Sequence, residues 1–216
     1  MHVVVAGGHG KIALRLLRLL VDRGDRARGL VRNPDHAPDL EAVGAEPVLV
    51  DIEQLDDLAP HVRGADAVVF AAGAGPGSGP ARKQTVDLGA AVNLIDAAKR
   101  AAVPRYVMVS SIGAHDPASG SEAMRPYLQA KAQADRALVS SGLDYTIARP
   151  GSLTDDPGTG QVDLKTQLGR RGPITRDDVA AILLACLDMP ETIGLTFEAF
   201  NGDTPIDAAL RALVSG

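Results

Sequence analysis

Short, unbroken apolar runs alternate along this chain with longer stretches in which apolar residues recur every three or four positions. The first run, Val3-Val4-Val5-Ala6, stops at Gly7-Gly8-His9-Gly10. It gives way to a helical pattern over Lys11 to Asp22, with Ile12, Ala13, Leu16 and Leu20 on one stripe and Arg15, Arg18 and Asp22 on another. Gly24 ends that helix. A second strand, Arg28 to Val31, leaves through Arg32-Asn33-Pro34, and a helix over about 35–43 leads to a third strand, Pro47 to Val50, ending at Asp51. A further helix starts near Glu53. The fourth strand, Ala67 to Ala71, runs into Ala72-Gly73-Ala74-Gly75-Pro76-Gly77-Ser78-Gly79-Pro80. Beyond it the pattern predicts a helix over about 82–102, a strand at Tyr106 to Val109, a helix over about 121–140 and a strand at Tyr145 to Arg149. A polar loop then extends to about Pro173. A helix over about 177–187, opened by Thr175-Arg176-Asp177-Asp178, precedes a last strand at Thr196 to Phe200 and a short closing helix.

Strands that alternate with helices imply an α/β, Rossmann-like doubly wound fold. Its sheet is mainly parallel, in the order 3-2-1-4-5-6-7, with helices on both faces. Continuous β-branched runs fit strands buried on both faces. In such a sheet strands one and four flank the switch point, so the two glycine-rich loops face one crevice. The first can hold a phosphate: glycine lets backbone N–H groups approach a ligand, and the helix beginning near Gly10 points its positive end there. The spacing Gly7, Gly10, Ala13 is looser than the dinucleotide fingerprint, and a plain strand-to-helix turn has the same composition. The second glycine-rich loop reads as a mobile segment over cofactor or substrate.

Arg32 stands where an acidic residue would hold the ribose hydroxyls of NAD and where an arginine suits the 2′-phosphate of NADP. A solvated arginine at a strand end is the plainer alternative. Asp51 is placed to meet an adenine amino group or to cap the next helix. Further along, Asp87 shares a stripe with Ala91, Leu94 and Ala98, so a carboxylate faces inward near a helix start, either favoured by the helix dipole or lining the cleft. On the helix over 121–140, Gln129, Gln133 and Arg136 form the wet stripe, while Tyr127, Lys131, Ala134 and Leu138 lie opposite. A lysine on a core-facing stripe needs a partner, a cleft, or a route by which to snorkel to the surface.

Composition narrows the function classes. The 216 residues fit one domain, 1–216, with a small substrate-side region from about 151–175 and the C-terminus. A net charge of -5 with scattered cations argues against nucleic acid and membrane partners. One cysteine, Cys186, excludes an internal disulfide framework, and its apolar run points to packing. The five histidines are isolated, so no metal site is expected. The start goes straight into a strand with no leader, and no apolar run reaches the ~18 residues of a membrane span. A cytoplasmic monomer or homodimer acting on a small molecule is the expectation.

Taken together, Val-Val-Val-Ala-Gly-Gly-His-Gly-Lys-Ile-Ala, Leu-Val-Arg-Asn-Pro, Val-Asp-Ile, Ser-Ser-Ile-Gly-Ala, Tyr-Leu-Gln-Ala-Lys and Gly-Leu-Asp-Tyr-Thr-Ile-Ala-Arg-Pro-Gly resemble the short-chain dehydrogenase/reductase superfamily. The closer resemblance is to its atypical NAD(P)H-binding members described as NAD(P)-dependent epimerases or dehydratases. The resemblance implies NADP(H) in preference to NAD(H), held by Gly7, Gly8, His9, Gly10, Lys11, Ile12, Arg32, Asn33, Asp51, Ile52, Ala71, Ala72, Gly73, Ser110, Lys131 and Pro150. It also implies that Ser111 orients a carbonyl, Tyr127 exchanges the proton and Lys131 holds the nicotinamide ribose and assists the tyrosine electrostatically. Asp87 stands where the superfamily usually has asparagine. The activity implied is hydride transfer to a small carbonyl, quinone or flavin, or epimerase/dehydratase-like chemistry. The alternative is a non-catalytic protein that senses the NADP/NADPH ratio.

Overall fold

The computed structural model of the protein describes residues 1–54, 57–75 and 77–215. Its strands are β1 (His2–Ala6), β2 (Arg26–Val31), β3 (Glu46–Leu49), β4 (Ala67–Phe70), β5 (Arg105–Val109), β6 (Asp144–Pro150), β7 (Ser152–Thr154), β8 (Gln161–Lys165), β9 (Pro173–Thr175), β10 (Thr196–Asn201) and β11 (Thr204–Pro205). Nine of them form one sheet in the order β11-β8-β10-β6-β5-β4-β1-β2-β3, and β7 pairs with β9 in a second. From β3 to β10 every neighbouring pair in the large sheet is parallel. The expected order 3-2-1-4-5-6-7 is therefore present, with β10 as its seventh strand, and β8 extends it antiparallel.

The helices are α1 (Lys11–Asp22), α2 (Ala37–Ala42), α3 (Ala59–Val62), α4 (Pro80–Arg82), α5 (Ala91–Arg100), α6 (Arg125–Val139), α7 (Arg176–Asp188) and α8 (Ile206–Ser215). Residues Lys83–Ala90 form a π-helix that joins α4 to α5. The period-two alternation of β1 sends Val3 and Val5 into a core with Leu16, Leu20, Ile182 and Leu183, and Val4 and Ala6 into another with Phe70, Leu94, Tyr106 and Leu138. Because both faces are covered, a strand with a polar face would bury unpaired groups, which is why β4 is apolar throughout and β1 is apolar from Val3 on.

Three expectations are corrected. Strand three ends at Leu49, not Asp51, because the chain turns at Ile52 to Gln54. Among the described residues no helix starts near Glu53: Asp51 Oδ1 accepts a hydrogen bond from the Glu53 amide at 3.0 Å, closing a turn, and the next described helix is α3. Leu55 and Asp56, like Pro76 of the second glycine-rich loop, lie outside the described residues. The stretch from 151 to 173 holds β7, β8 and the start of β9 where a loop was expected. In β8, Val162 and Leu164 are buried between partly or fully exposed Gln161, Asp163 and Lys165, the pattern of a strand wet on one face.

β1 and β4 lie side by side while their connections depart in opposite directions, β1 through α1 to β2 and β4 through α4 and α5 to β5. The crevice this opens lies at the carboxyl ends of the strands.

Candidate functional site

Gly7 adopts φ +79°, and a Cβ there would stand 2.7 Å from the Ala72 Cα. Only glycine permits the turn and the close approach of the two loops. The Gly10 amide donates to the Gly7 carbonyl at 2.7 Å, and Gly10 begins α1 with no side-chain cap and no acidic residue in the first turn. The leading N–H groups of α1 are thus open to an anion. Gly8 does a different job. Its amide is committed to the Leu30 carbonyl at 2.9 Å, and a Cβ would meet the Gly29 Cα at 2.8 Å, so it seats the turn against β2. Ile12 packs into the core, leaving its backbone to the turn. Lys11 is exposed and bonds Asp155 Oδ2 at 2.6 Å; the same carboxylate meets Arg176 at 2.9 Å, and Arg15 pairs with the adjacent Asp177. The bond from Lys11 holds the Asp155 carboxyl below the usual range against some desolvation, with Arg176 adding to it.

Beside this turn is a cleft of ≈ 410 Å³. Of the anticipated residues it gathers Gly7, His9, Gly10, Arg32, Asn33, Asp51, Ile52, Ala71, Ala72 and Gly73 on one wall or another. It adds His36, Glu53, Arg82 and Val86, which sequence reasoning did not single out. Glu53 Oε1 accepts from Arg32 at 2.8 Å and from Arg82 at 3.0 Å, and its Oε2 accepts from Arg82 at 2.7 Å. The available signals were positional: Glu53 follows Asp51 by two residues, and Arg82 comes just after the glycine-rich loop. His9 and His36, isolated in sequence, stack with ring centres 3.7 Å apart, and His9 Nε2 lies 2.7 Å from Asp39. A larger hollow of ≈ 570 Å³ between α7 and α8, lined by Met189, Arg211 and Val214 among others, has no such turn beside it.

Behind the cleft sits a buried charged centre. Asp87 is wholly enclosed and Lys131 is 3 % exposed, with Lys131 Nζ 3.4 Å from Asp87 Oδ1. The Ala74 amide donates to Asp87 Oδ2 at 3.4 Å, linking the pair to the second glycine-rich loop. Lys131 also donates to the Val109 carbonyl at 3.1 Å and lies 5.9 Å from the centre of the half-buried Tyr127 ring. On α6 the predicted stripes hold, with Gln129, Gln133 and Arg136 exposed and Ala134 and Leu138 buried. Asp87, Tyr127 and Lys131 are therefore brought together. Ser111 Oγ instead bonds the neighbouring Ile112 carbonyl at 3.1 Å, while Ser110 and Pro150 are buried at the ends of adjacent strands. One α-helical turn beyond Lys131, Asp135 pairs with Arg149 at 2.8 Å; burial pushes its carboxyl up, against the pull of the guanidinium. Among the described residues no group of three or more His, Cys, Asp or Glu could hold a metal ion.

A glycine turn at the switch point of a parallel sheet, opening on an uncapped helix and a cleft that holds Arg32 and Arg82, defines a dinucleotide-binding α/β protein. Residues 7–190 match the model of the NAD(P)H-binding family, and the chain belongs to that family, within the atypical short-chain dehydrogenase/reductase group. It is 42% identical over 215 residues to an uncharacterised sugar epimerase, YhfK, of Bacillus subtilis, covering 99% of this chain and 100% of that one. It is similar to a structure from Bacillus halodurans named for NAD-dependent epimerase/dehydratase activity (TM-score 0.94, 41% identity, 99% and 100% of the two chains). It is also similar to ChuY, an anaerobillin reductase from Escherichia coli O157:H7 (TM-score 0.79, 25% identity, 94% and 98%). The cradle fits a nicotinamide dinucleotide: any side chain at Gly7 would fill it, and no acidic group stands in the first turn of α1 to repel a pyrophosphate. Among the described residues no helix is long and apolar enough to cross a membrane.

Proposed function

We propose that this protein is an NADP(H)-dependent reductase of small, flat carbonyl, quinone or flavin compounds. The observation that carries the reading is the enclosed Lys131 ammonium, held between the Val109 carbonyl and Asp87 and set beside the Tyr127 ring. A buried lysine is costly, and one fixed next to a tyrosine behind the cofactor cleft suits proton delivery. Bound nicotinamide supplies a hydride. Tyr127 gives a proton to the oxygen of the reduced group, Lys131 steadies the tyrosine electrostatically and holds the ribose, and Asp87 fixes Lys131. Ser111 orients the substrate once its hydroxyl leaves the Ile112 carbonyl. Gly7, Gly10 and the start of α1 bind the pyrophosphate, and Arg32 takes the 2′-phosphate. The similarity to an anaerobillin reductase supports the reductase reading.

The test is NADPH oxidation across a panel of quinones, flavins and carbonyl compounds. Tyr127→Phe is expected to lower turnover of carbonyl substrates by about 10²-fold. Full activity in that variant would overturn the acid role and leave a simple hydride platform. A second reading, a non-catalytic sensor of the NADP/NADPH ratio, is favoured by the commitment of Lys131 to Asp87. Absence of turnover across the panel, with different affinities for NADP+ and NADPH, would select it.

A further inference from the structure

Glu53 is 11% exposed, whereas the two guanidiniums it anchors are half open to the cleft, Arg32 at 56% and Arg82 at 43%. Each arginine spends only Nη1 on the carboxylate. Among the described residues, Nε and Nη2 of both make no hydrogen bond, so two forked donor edges remain available to an anion. The two Nη1 atoms share the same Glu53 oxygen, which sets the guanidiniums close enough for one tetrahedral oxyanion to bridge them. The carboxylate itself has both oxygens engaged with arginine.

We propose that Arg82 is a second specificity-determining ligand for the ribose 2′-phosphate, acting with Arg32 from the opposite wall of the cleft. Arg82 arrives from α4, directly after the second glycine-rich loop, whereas Arg32 follows β2. A 2′-phosphate held there would join two chain segments that Glu53 already links. Two converging forks recognise a phosphate dianion far better than a hydroxyl, since guanidinium pairs with phosphate oxygens in a planar, bidentate way. The inference rests on the NADP(H) reading above and adds the residue that completes the subsite.

Titration calorimetry of the intact protein with NADP+, NAD+ and 2′,5′-ADP tests it, with Arg32→Gln and Arg82→Gln beside the unaltered chain. Arg82→Gln is expected to weaken NADP+ and 2′,5′-ADP by about tenfold and to change NAD+ by less than about twofold. Retained NAD+ affinity also shows that the variant is folded. Equal weakening of NADP+ and NAD+, or no change in either, overturns the role of Arg82. If Arg32→Gln abolishes the preference and Arg82→Gln leaves it intact, this inference fails while the cofactor reading stands. If the unaltered protein binds NAD+ as tightly as NADP+, the cofactor reading itself falls.

Discussion

Gly7 and Gly8 are chain neighbours with unrelated physical tasks. Gly7 keeps the turn open toward Ala72, and Gly8 lets β1 and β2 close up against Gly29. The first task was visible in the sequence because a glycine between strand and helix signals a turn; the second was not, because its partner lies in another strand. A residue-scale prediction concerns Cys186, which is fully buried on α7. Burial pushes its thiol up from 9.0 to about 12, with Arg105 and Thr192 opposing. The unfolded chain therefore releases this proton from about pH 9 while the folded chain keeps it, so stability falls as the pH rises through that window. Denaturant titrations at pH 8 and pH 10 are expected to show about 1.4 kcal/mol more loss in the native protein than in Cys186→Ala. The native thiol should also resist alkylation until the protein unfolds.

At the scale of elements, α7 shows how a local signal becomes structure. Thr175 Oγ1 accepts from the Asp178 amide at 2.9 Å, the cap that Thr-Arg-Asp-Asp predicts. Asp178 adds a contact no local pattern discloses: its carboxylate takes the amides of Thr159 at 3.1 Å and Gly160 at 2.8 Å, tying the chain ahead of β8 to the helix start. Thr175→Ala is expected to cost about 1 kcal/mol, read as a lowered denaturation midpoint. Other elements left little trace. The π-helix over Lys83–Ala90 carries Asp87 in an apolar stripe that any helix would share, so its inward direction was legible and its wider turn was not. β7 and β9 have three residues each and are held by pairing with one another, a long-range contact that composition does not encode.

For the whole molecule, the parallel part of the sheet was legible because its buried strands are predominantly apolar and crossover connections leave few possible orders. The antiparallel edge was not, since β8 owes its place to β10 and to the short β11. The candidate site divides the same way. Residues at strand ends, such as Arg32 and Ser110, could be placed from the chain alone, whereas Glu53 and Arg82 gain meaning only when two loops converge. Asp155 is the broadest case, because it crosses from the segment after β7 to sit on Lys11 at the mouth of α1. On the proposed reading, a pyrophosphate bound at the start of α1 would compete with Asp155 for Lys11, so that one counter-ion is exchanged for another. Relieving that competition with Asp155→Asn should tighten nucleotide binding about threefold and steepen its response to potassium chloride, measured by titration at two ionic strengths.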